Sequence, residues 1–552
     1  MADVHPSYRS AHAASRQARW APWALLFVLL LSWVLWYPQS PDLAAQAYRI
    51  DLFAKDGFAL WDNGWYGGHY LLSYSLIFPA IADFLGLRIA GVLAVTVSSM
   101  LFWLLLGEKD TRRRGLSVAL FVVGAAGDLY IGRVAFALGV TFGLASALAA
   151  VRGSRVLCVI CSVGCAAASP VAAALLGLVA CGDLLAHRRA ARAACLGVPA
   201  LAVVAVISTL FPEGGYEPFA FSSLLAALGA CALILLLVPR GEKLARCTAG
   251  LYLVALLLAY AIQSPMGSNA VRFGVLFAPA TLVLLVTPSD VQRRLLSARR
   301  RFARPDEQGR ECPGAAISTR TSALLFAGCA AVLVVWQVNG PLAQSVTASA
   351  SASSSYAFYT PAIRYLDERS GGAPMRIEVP FTDSHWDAAI LGTHFALARG
   401  WERQIDTRFD SLFYEPGLTG SSYERWLDEN GVRFVVLSDA PLDFSSVQEG
   451  ALVARGLSFL RLVFRSANWR IYEVRDARPL ASGPGELTSL SGAGFTLLAR
   501  HRGQFLVRIH YTPYWRVAAG MGTTSEGADD WTELDAARAG TIRVNAEFSL
   551  PF

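Results

Sequence analysis

Between Trp20 and residue 338 the chain returns eleven times to a long apolar run, near 20–36, 88–106, 115–130, 133–151, 155–168, 170–186, 195–211, 219–238, 247–262, 271–288 and 322–338. A helix that crosses a bilayer needs about 20 mainly apolar residues. In hydrocarbon every backbone polar group must be satisfied within the protein, so repeated runs of this kind leave a helical bundle as the available solution. The runs at 115–130 and 155–168 are short, and Pro170 separates two tightly linked helices. Only 16% of residues are charged, against about a quarter in soluble proteins, and the shortfall falls almost wholly before residue 339.

The basic residues sit in short segments between the runs. With the N-terminus inside, inner loops hold Lys109/Arg112/Arg113/Arg114, Arg152/Arg155, Arg188/Arg189/Arg192, Arg240/Lys243/Arg246 and the Arg293–Arg320 cluster. Outer loops hold only Arg49, Lys55, Arg88, Arg133 and Arg272. That asymmetry follows the positive-inside rule and predicts a multi-pass membrane protein, N-terminus cytoplasmic. The formal charge of +7 is therefore read as loop charge, and nucleic acid is excluded as a partner because no basic domain and no aromatic interleaving accompany it. The first run, with Trp at both ends and no small-residue cleavage site, reads as a retained anchor. All nine cysteines precede residue 340, which excludes a disulfide framework in the C-terminal region. Cys158, Cys161 and Cys165 share one helical face without a partnering His or second CxxC, and read as packing residues.

After residue 338 the solvent changes. The expected organisation is a cytoplasmic segment 1–19, a transmembrane domain 20–338 with a first outer loop 39–87, a linker 339–355 built on Gln344–Ser355, and an extracytoplasmic α+β domain 356–552. Strands are predicted at Arg376–Pro380, Phe434–Leu437 and Trp469–Val474, helices near 361–368, 386–398 and 423–430, and mostly strands over 494–546.

The outer loop Pro41–Pro79 gathers Asp42, Asp51, Asp56, Asp62, Arg49, Trp61, Trp65, Tyr66, His69, Tyr70 and Tyr74 beside the pair Gly67-Gly68. A long connection of this kind is often functional. A carboxylate takes a proton from an attacking hydroxyl and aromatic faces pack on sugar rings, so the set suits a polyhydroxylated acceptor. The plainer reading of the aromatics is an interfacial belt. Gly127–Arg133 forms a second outer turn, and Gly267-Ser268-Asn269 leads into Arg272; these arginines would hold a lipid-linked phosphate or snorkel to headgroups. Trp401, His385 and Asp406 would cover an acceptor groove; on the plainer reading His385 and Trp386 cap a helix, and Arg403 and Asp406, three apart, pair locally. No protease, ATPase, hydrolase or dinucleotide motif is present. The carboxylates permit a divalent ion, but no dedicated ligand cluster supports one, so no metal site and no cofactor is assigned.

The stretches PDLAAQAYRI and WDNGWYGGHYLLSYSLIFPAI resemble the first outer loop of GT-C-fold glycosyltransferase-like membrane proteins, in particular the bacterial group labelled 6-pyruvoyl-tetrahydropterin-synthase-related. Asp42, Arg49-Ile50 and Trp65-Tyr66-Gly67-Gly68 carry that resemblance. GRVAFALGVTFGLA, SNAVRFGVLFAPA, HWDAA, ARGWERQID and NWRIYEV extend it, with actinobacterial members in view. The resemblance implies transfer of a sugar from a polyprenyl-phosphate donor to an envelope glycan or glycolipid on the outer face. Asp42 would be the base, Arg272 or Arg133 with Asn269 would hold donor phosphate, and Arg49, Trp65, Tyr66, His69 and His385 would serve the acceptor side. The chain carries a lone Asp42 after Pro41, not the paired acids of some GT-C enzymes. The alternatives are a transporter or flippase and a non-catalytic assembly protein; polar residues at outer helix ends rather than mid-span favour the enzyme. Alkaline phosphatase fused after residue 214 or 372 is expected to be active and after residue 110 or 241 inactive; the reverse pattern overturns the orientation.

Overall fold

The computed structural model describes residues 6–107, 110–302 and 318–548, and the chain forms two compact units. The first comprises residues up to Tyr37, Arg88–Val206 and Glu217–Gln344; the second comprises Pro38–Leu87, Ile207–Tyr216 and the chain from Ser345. Lys109 and Cys312 lie outside the described residues.

In the first unit each of the eleven runs is a helix. Nine helices among the described residues are long and apolar enough to cross a membrane: Arg19–Trp36, Leu87–Leu105, Thr111–Ile131, Val134–Val151, Pro170–His187, Ala190–Leu210, Lys243–Ala261, Gly267–Leu285 and Thr319–Ala350. Two shorter apolar helices, Arg155–Ala168 and Phe221–Leu237, complete the set. Ser169 ends one helix in extended backbone and caps the next, its hydroxyl accepting from the Ala172 N–H at 3.3 Å, with Pro170 at the first position that needs no N–H. Small residues set the spacing: a Cβ on Gly139 would stand 2.7 Å from that of Ala172. Cys158 and Cys165 are buried in the alanine-rich core of these helices, and Cys161 is buried beside them. Arginines between the apolar runs also close helix ends. Arg114 donates twice to the Trp103 carbonyl, at 3.1 and 2.6 Å, and Arg246 donates to the Leu235 and Val238 carbonyls. The segment Gln344–Ala350, expected in the linker, continues the last helix; its alanines are strong helix formers.

The second unit interleaves Pro38–Leu87, the first long loop of the sequence, with the C-terminal region. Pro41–Asp56 is helical: Pro41 supplies the first position, Asp42 the acidic first turn, and Gly57 at φ 67° the stop. Two short strands, β1 (Trp61–Asp62) and β2 (His69–Tyr70), pair antiparallel around the Gly67-Gly68 turn. A five-stranded sheet follows, made of β3 (Arg376–Glu378), β4 (Ala396–Leu397), β5 (Val432–Ser438), β6 (Leu460–Arg465) and β7 (Trp469–Val474), in the order β4-β3-β5-β7-β6. β3 runs parallel to β4 and β5, and β7 antiparallel to β5 and β6. Helices Tyr356–Ser370, Trp386–Gly392, Arg403–Phe409, Gly420–Glu429 and Val447–Ala454 accompany it. The helix expected over 386–398 stops at Gly392, because Ala396 and Leu397 join the sheet.

The remaining strands are β8 (Ala481–Ser482), β9 (Gly485–Ser491), β10 (Gly494–Ala499), β11 (Gly503–His510), β12 (Trp515–Ala519), β13 (Gly522–Glu526), β14 (Trp531–Ala536) and β15 (Gly540–Ala546). They form two antiparallel four-stranded sheets, β12-β15-β10-β9 and β13-β14-β11-β8. Period-two alternation sends Phe495, Leu497, Phe505, Val507, Ile509, Ile542 and Val544 into one shared core, which also takes Trp61 and Tyr70 from the outer loop and Phe211 from 207–216. The turn that delivers those rings depends on glycine. Gly68 sits at φ 120°, and a Cβ there would meet the Trp61 ring at 2.5 Å. Gly68→Ala is expected to lower stability by about 2–4 kcal/mol, against about 1 kcal/mol for Gly57→Ala, whose added Cβ meets nothing. Thermal unfolding in detergent compares the two; equal losses overturn the argument.

Candidate functional site

Asp42, Gln46 and Arg49 recur at i, i+4 and i+7, so they share one face of helix Pro41–Asp56. Asp42 is half-buried, whereas Gln46 and Arg49 are buried. The segment 399–406 grips this helix at two points. The Trp401 indole N–H donates to the Pro41 carbonyl at 2.8 Å, and the Glu402 carboxylate pairs with Arg49. A second indole, Trp386, donates to the Gln39 carbonyl at 2.9 Å. The Arg49 guanidinium also stands 4.6 Å over the Tyr74 ring. The backbone at the start of the helix that bears Asp42 is thus held by residues more than 340 positions away in sequence.

Trp65, Tyr66 and His69, expected to serve the acceptor side, are buried side chains of the loop–sheet core. Trp65 stacks on Tyr48 at 4.1 Å, and its N–H donates to the Ala388 carbonyl at 3.2 Å. The Tyr66 hydroxyl donates to the Gly400 carbonyl at 2.5 Å and accepts from the Glu402 N–H at 2.8 Å. His69 lies parallel to Trp65, and burial together with the Arg49 charge holds its pKa well below the ordinary value, which keeps it neutral. Asp62 accepts from the Tyr48 hydroxyl at 2.9 Å and the Gly64 N–H at 2.9 Å. Burial pushes its pKa up to about 6 against those bonds. These groups build the support for Asp42; their ring faces are not offered to solvent.

His385 precedes helix Trp386–Gly392 in left-handed backbone, φ 56°, without a side-chain cap. Its ring stacks on Trp401 at 3.3 Å and 5°, and its Nε2 lies 3.3 Å from Asp443. Burial lowers its pKa to about 4. Asp443 takes both guanidinium nitrogens of Arg403, at 2.9 and 2.8 Å. Burial works to raise the pKa of Asp443, yet His385 and Arg403 hold it well below the carboxylate range. Arg403 and Asp406 therefore do not pair locally. Asp406 takes Arg399 in a bidentate bridge, 3.0 and 2.7 Å, with Glu449 at 3.3 Å from the same guanidinium. Burial and the Glu449 charge raise the pKa of the nearby Glu378 carboxyl well above its ordinary value. Sequence reasoning did not find Asp443, Glu449 or Glu378; their partners come from separate strands and loops. Among the described residues no group of three His, Cys, Asp or Glu side chains is placed to hold a metal ion.

The other expected site residues belong to the first unit. Gly132, at φ 94°, closes helix Thr111–Ile131, and Arg133 opens Val134–Val151, its N–H donating to the Asp128 carbonyl at 2.7 Å. Arg272 bonds Asn269, and its guanidinium lies 5.1 Å over Phe136, within the first turn of the helix that Arg133 opens. Ser268 donates to Glu217 at 2.9 Å beside them. Arg133 and Arg272 therefore reach the same end of the bundle. An apolar cavity of about 490 Å³ lies among these helices, lined by Phe102, Phe136, Leu176, Tyr252, Phe273 and Leu285, with Asp183, His187 and Arg192 bonded together at the opposite helix ends.

One buried carboxyl gives a pH test of the His385 turn. Asp387 accepts from the Thr382 N–H at 3.2 Å and from its hydroxyl, and burial raises its pKa to about 7. The folded state thus keeps a proton that the unfolded chain releases near its ordinary value, about 3.9. Its contribution is complete below that pH and is lost as pH rises to 7, by at most about 4 kcal/mol. Asp387→Asn is expected to gain stability relative to wild type across pH 4 to 7, measured by thermal unfolding; a constant offset overturns this.

No family model and no curated protein matches the chain. Among solved structures it is similar to the Archaeoglobus fulgidus oligosaccharyltransferase tethered to an acceptor peptide, at 13% identity and a TM-score of 0.36, over 76% of this chain and 69% of that one. That degree of likeness carries no argument about activity.

Proposed function

We propose that the chain is a membrane glycosyltransferase that moves a sugar from a polyprenyl-phosphate donor to an envelope glycan or glycolipid on the outer face. The observation that carries this reading is the first unit's apolar cavity with Arg272 seated over Phe136 at one end. A long apolar chain with an anionic head is the kind of ligand that an apolar cavity of that volume, with a guanidinium placed over one of its lining rings, suits. Arg133, Arg272 and Asn269 take the donor phosphate. Asp42, half-buried in the first turn of its helix, takes the proton from the acceptor hydroxyl. The acceptor oxygen then bonds the anomeric carbon, the bond from that carbon to the phosphate oxygen breaks, and polyprenyl phosphate leaves with inversion. Arg49, Trp65, Tyr66, His69 and His385 act as positioning residues that fix the helix bearing Asp42. No resident cofactor or metal enters the scheme.

The test uses purified full-length protein in nanodiscs with a panel of radiolabelled polyprenyl-phosphate sugars and envelope glycans. Wild type is expected to form product, and Asp42→Ala to lose about 100-fold or more in kcat, the usual worth of a general base. Arg272→Ala is expected to raise KM for the donor. No product from any donor, or full activity of Asp42→Ala, overturns the reading in favour of a transporter or an assembly protein.

A further inference from the structure

Five arginines far apart in sequence converge at one end of the five-stranded sheet. Arg376 opens β3 and Arg433 is the second residue of β5; these strands are parallel, so both residues lie at the same end. β7 runs the other way and delivers Arg475 just past its last residue, while β6, antiparallel to β7, brings Arg461 opposite Glu473. Arg478 follows in the segment leaving β7. Adjacent strands stand about 4.8 Å apart, so the row spans roughly 14 Å.

All five line a pocket of about 780 Å³, closed on its far side by Gly483–Leu487. Three acids share the lining, and two of them are engaged: Glu473 by Arg461 and Arg369, Glu486 by Arg500 at 3.4 Å. Among the described residues Arg433 and Arg475 have no carboxylate partner. Arg376 is fully buried, gives its two terminal nitrogens to the Asn430 and Arg508 carbonyls at 2.7 and 2.6 Å, and leaves Nε without a hydrogen-bond partner. A buried cation whose hydrogen bonds go to carbonyls, with no carboxylate bonded to it, is costly, and an anion in the pocket offsets that cost. Burial and the nearby Arg508 charge already lower the Arg376 pKa to about 9. No aromatic ring lines the pocket, so it offers charge and hydrogen bonds rather than a stacking platform, which disfavours single-stranded nucleic acid. It lies at the end of the strands and not along an open edge, so it does not suit strand addition by a peptide.

We propose that this pocket binds an acidic oligosaccharide through carboxylate or phosphate groups repeated along its chain. Guanidinium forks match both groups, and a linear acidic glycan repeats its anions along one direction as the strands repeat their arginines. The choice of a saccharide as carrier rests on the transferase reading; the binding of anions does not.

Binding is measured by calorimetry on the full chain in nanodiscs, using oligogalacturonate, glycerol-phosphate oligomers, neutral maltoheptaose and oligoglutamate. Either acidic saccharide class is expected to bind and maltoheptaose to fail; which class binds identifies the anion as uronate or phosphodiester. Arg433→Gln with Arg475→Gln, at partly exposed positions that leave the fold intact, is expected to weaken binding about tenfold or more. Arg538→Gln, an exposed arginine outside the pocket, is expected to leave it unchanged. Equal binding by the double variant, no binding of either acidic class, or tighter binding of oligoglutamate overturns the proposal. Binding that persists in a protein without transfer activity sinks the transferase reading alone.

Discussion

Trp65 lies in a stack with Tyr48 on one side and His69 on the other, fully buried, its N–H satisfied by a carbonyl of helix Trp386–Gly392. Backbone closes around it so tightly that a Cβ on Gly392 would come within 2.8 Å of its Nε1. Much of the second unit depends on this seam. Residues 38–87 leave an apolar helix, bury two tryptophans and three tyrosines against strands more than 300 positions downstream, and return to another apolar helix. An outer loop of that length has no core of its own, so its order is supplied by the C-terminal region.

The seam also explains the distribution of charge. Arg399, Arg403 and Arg49 are each matched by carboxylates within bonding distance, and burial raises the pKa of the further acids Glu378 and Asp387. Breaking such a pair leaves an uncompensated buried charge, which costs far more than the pair contributes. The five-stranded sheet and the helix bearing Asp42 are thereby kept in one arrangement, whereas the arginine end of the same sheet is left with cations in excess. The two ends of one sheet have opposite electrostatic characters, one internally neutralised and one open to an anion.

In the first unit the polar groups that matter lie at helix ends. Arg114 and Arg246 satisfy terminal carbonyls at one end, and Arg133 and Arg272 lie at the other. Between them the helix faces are small and apolar, which permits both close packing and a cavity of lipid-tail dimensions.

Sequence alone determined the positions of the apolar helices, since run length and hydropathy are local properties that hydrocarbon enforces segment by segment. It also located the strands of the C-terminal region by period-two alternation, as at Phe495, Leu497 and Ala499. It placed the distinctive residues of the outer loop without their roles. The same tryptophan, tyrosine and histidine suit an open sugar platform or a core, and only tertiary packing decided that Trp65, Tyr66 and His69 are interior. Pairings such as Arg403 with Asp443 and Arg399 with Asp406 were decided by which strands and turns the fold brings side by side, where a spacing of three had pointed to a local bridge. The arginine pocket is the clearest case: its residues are scattered over about 100 positions, and sheet register alone gathers them.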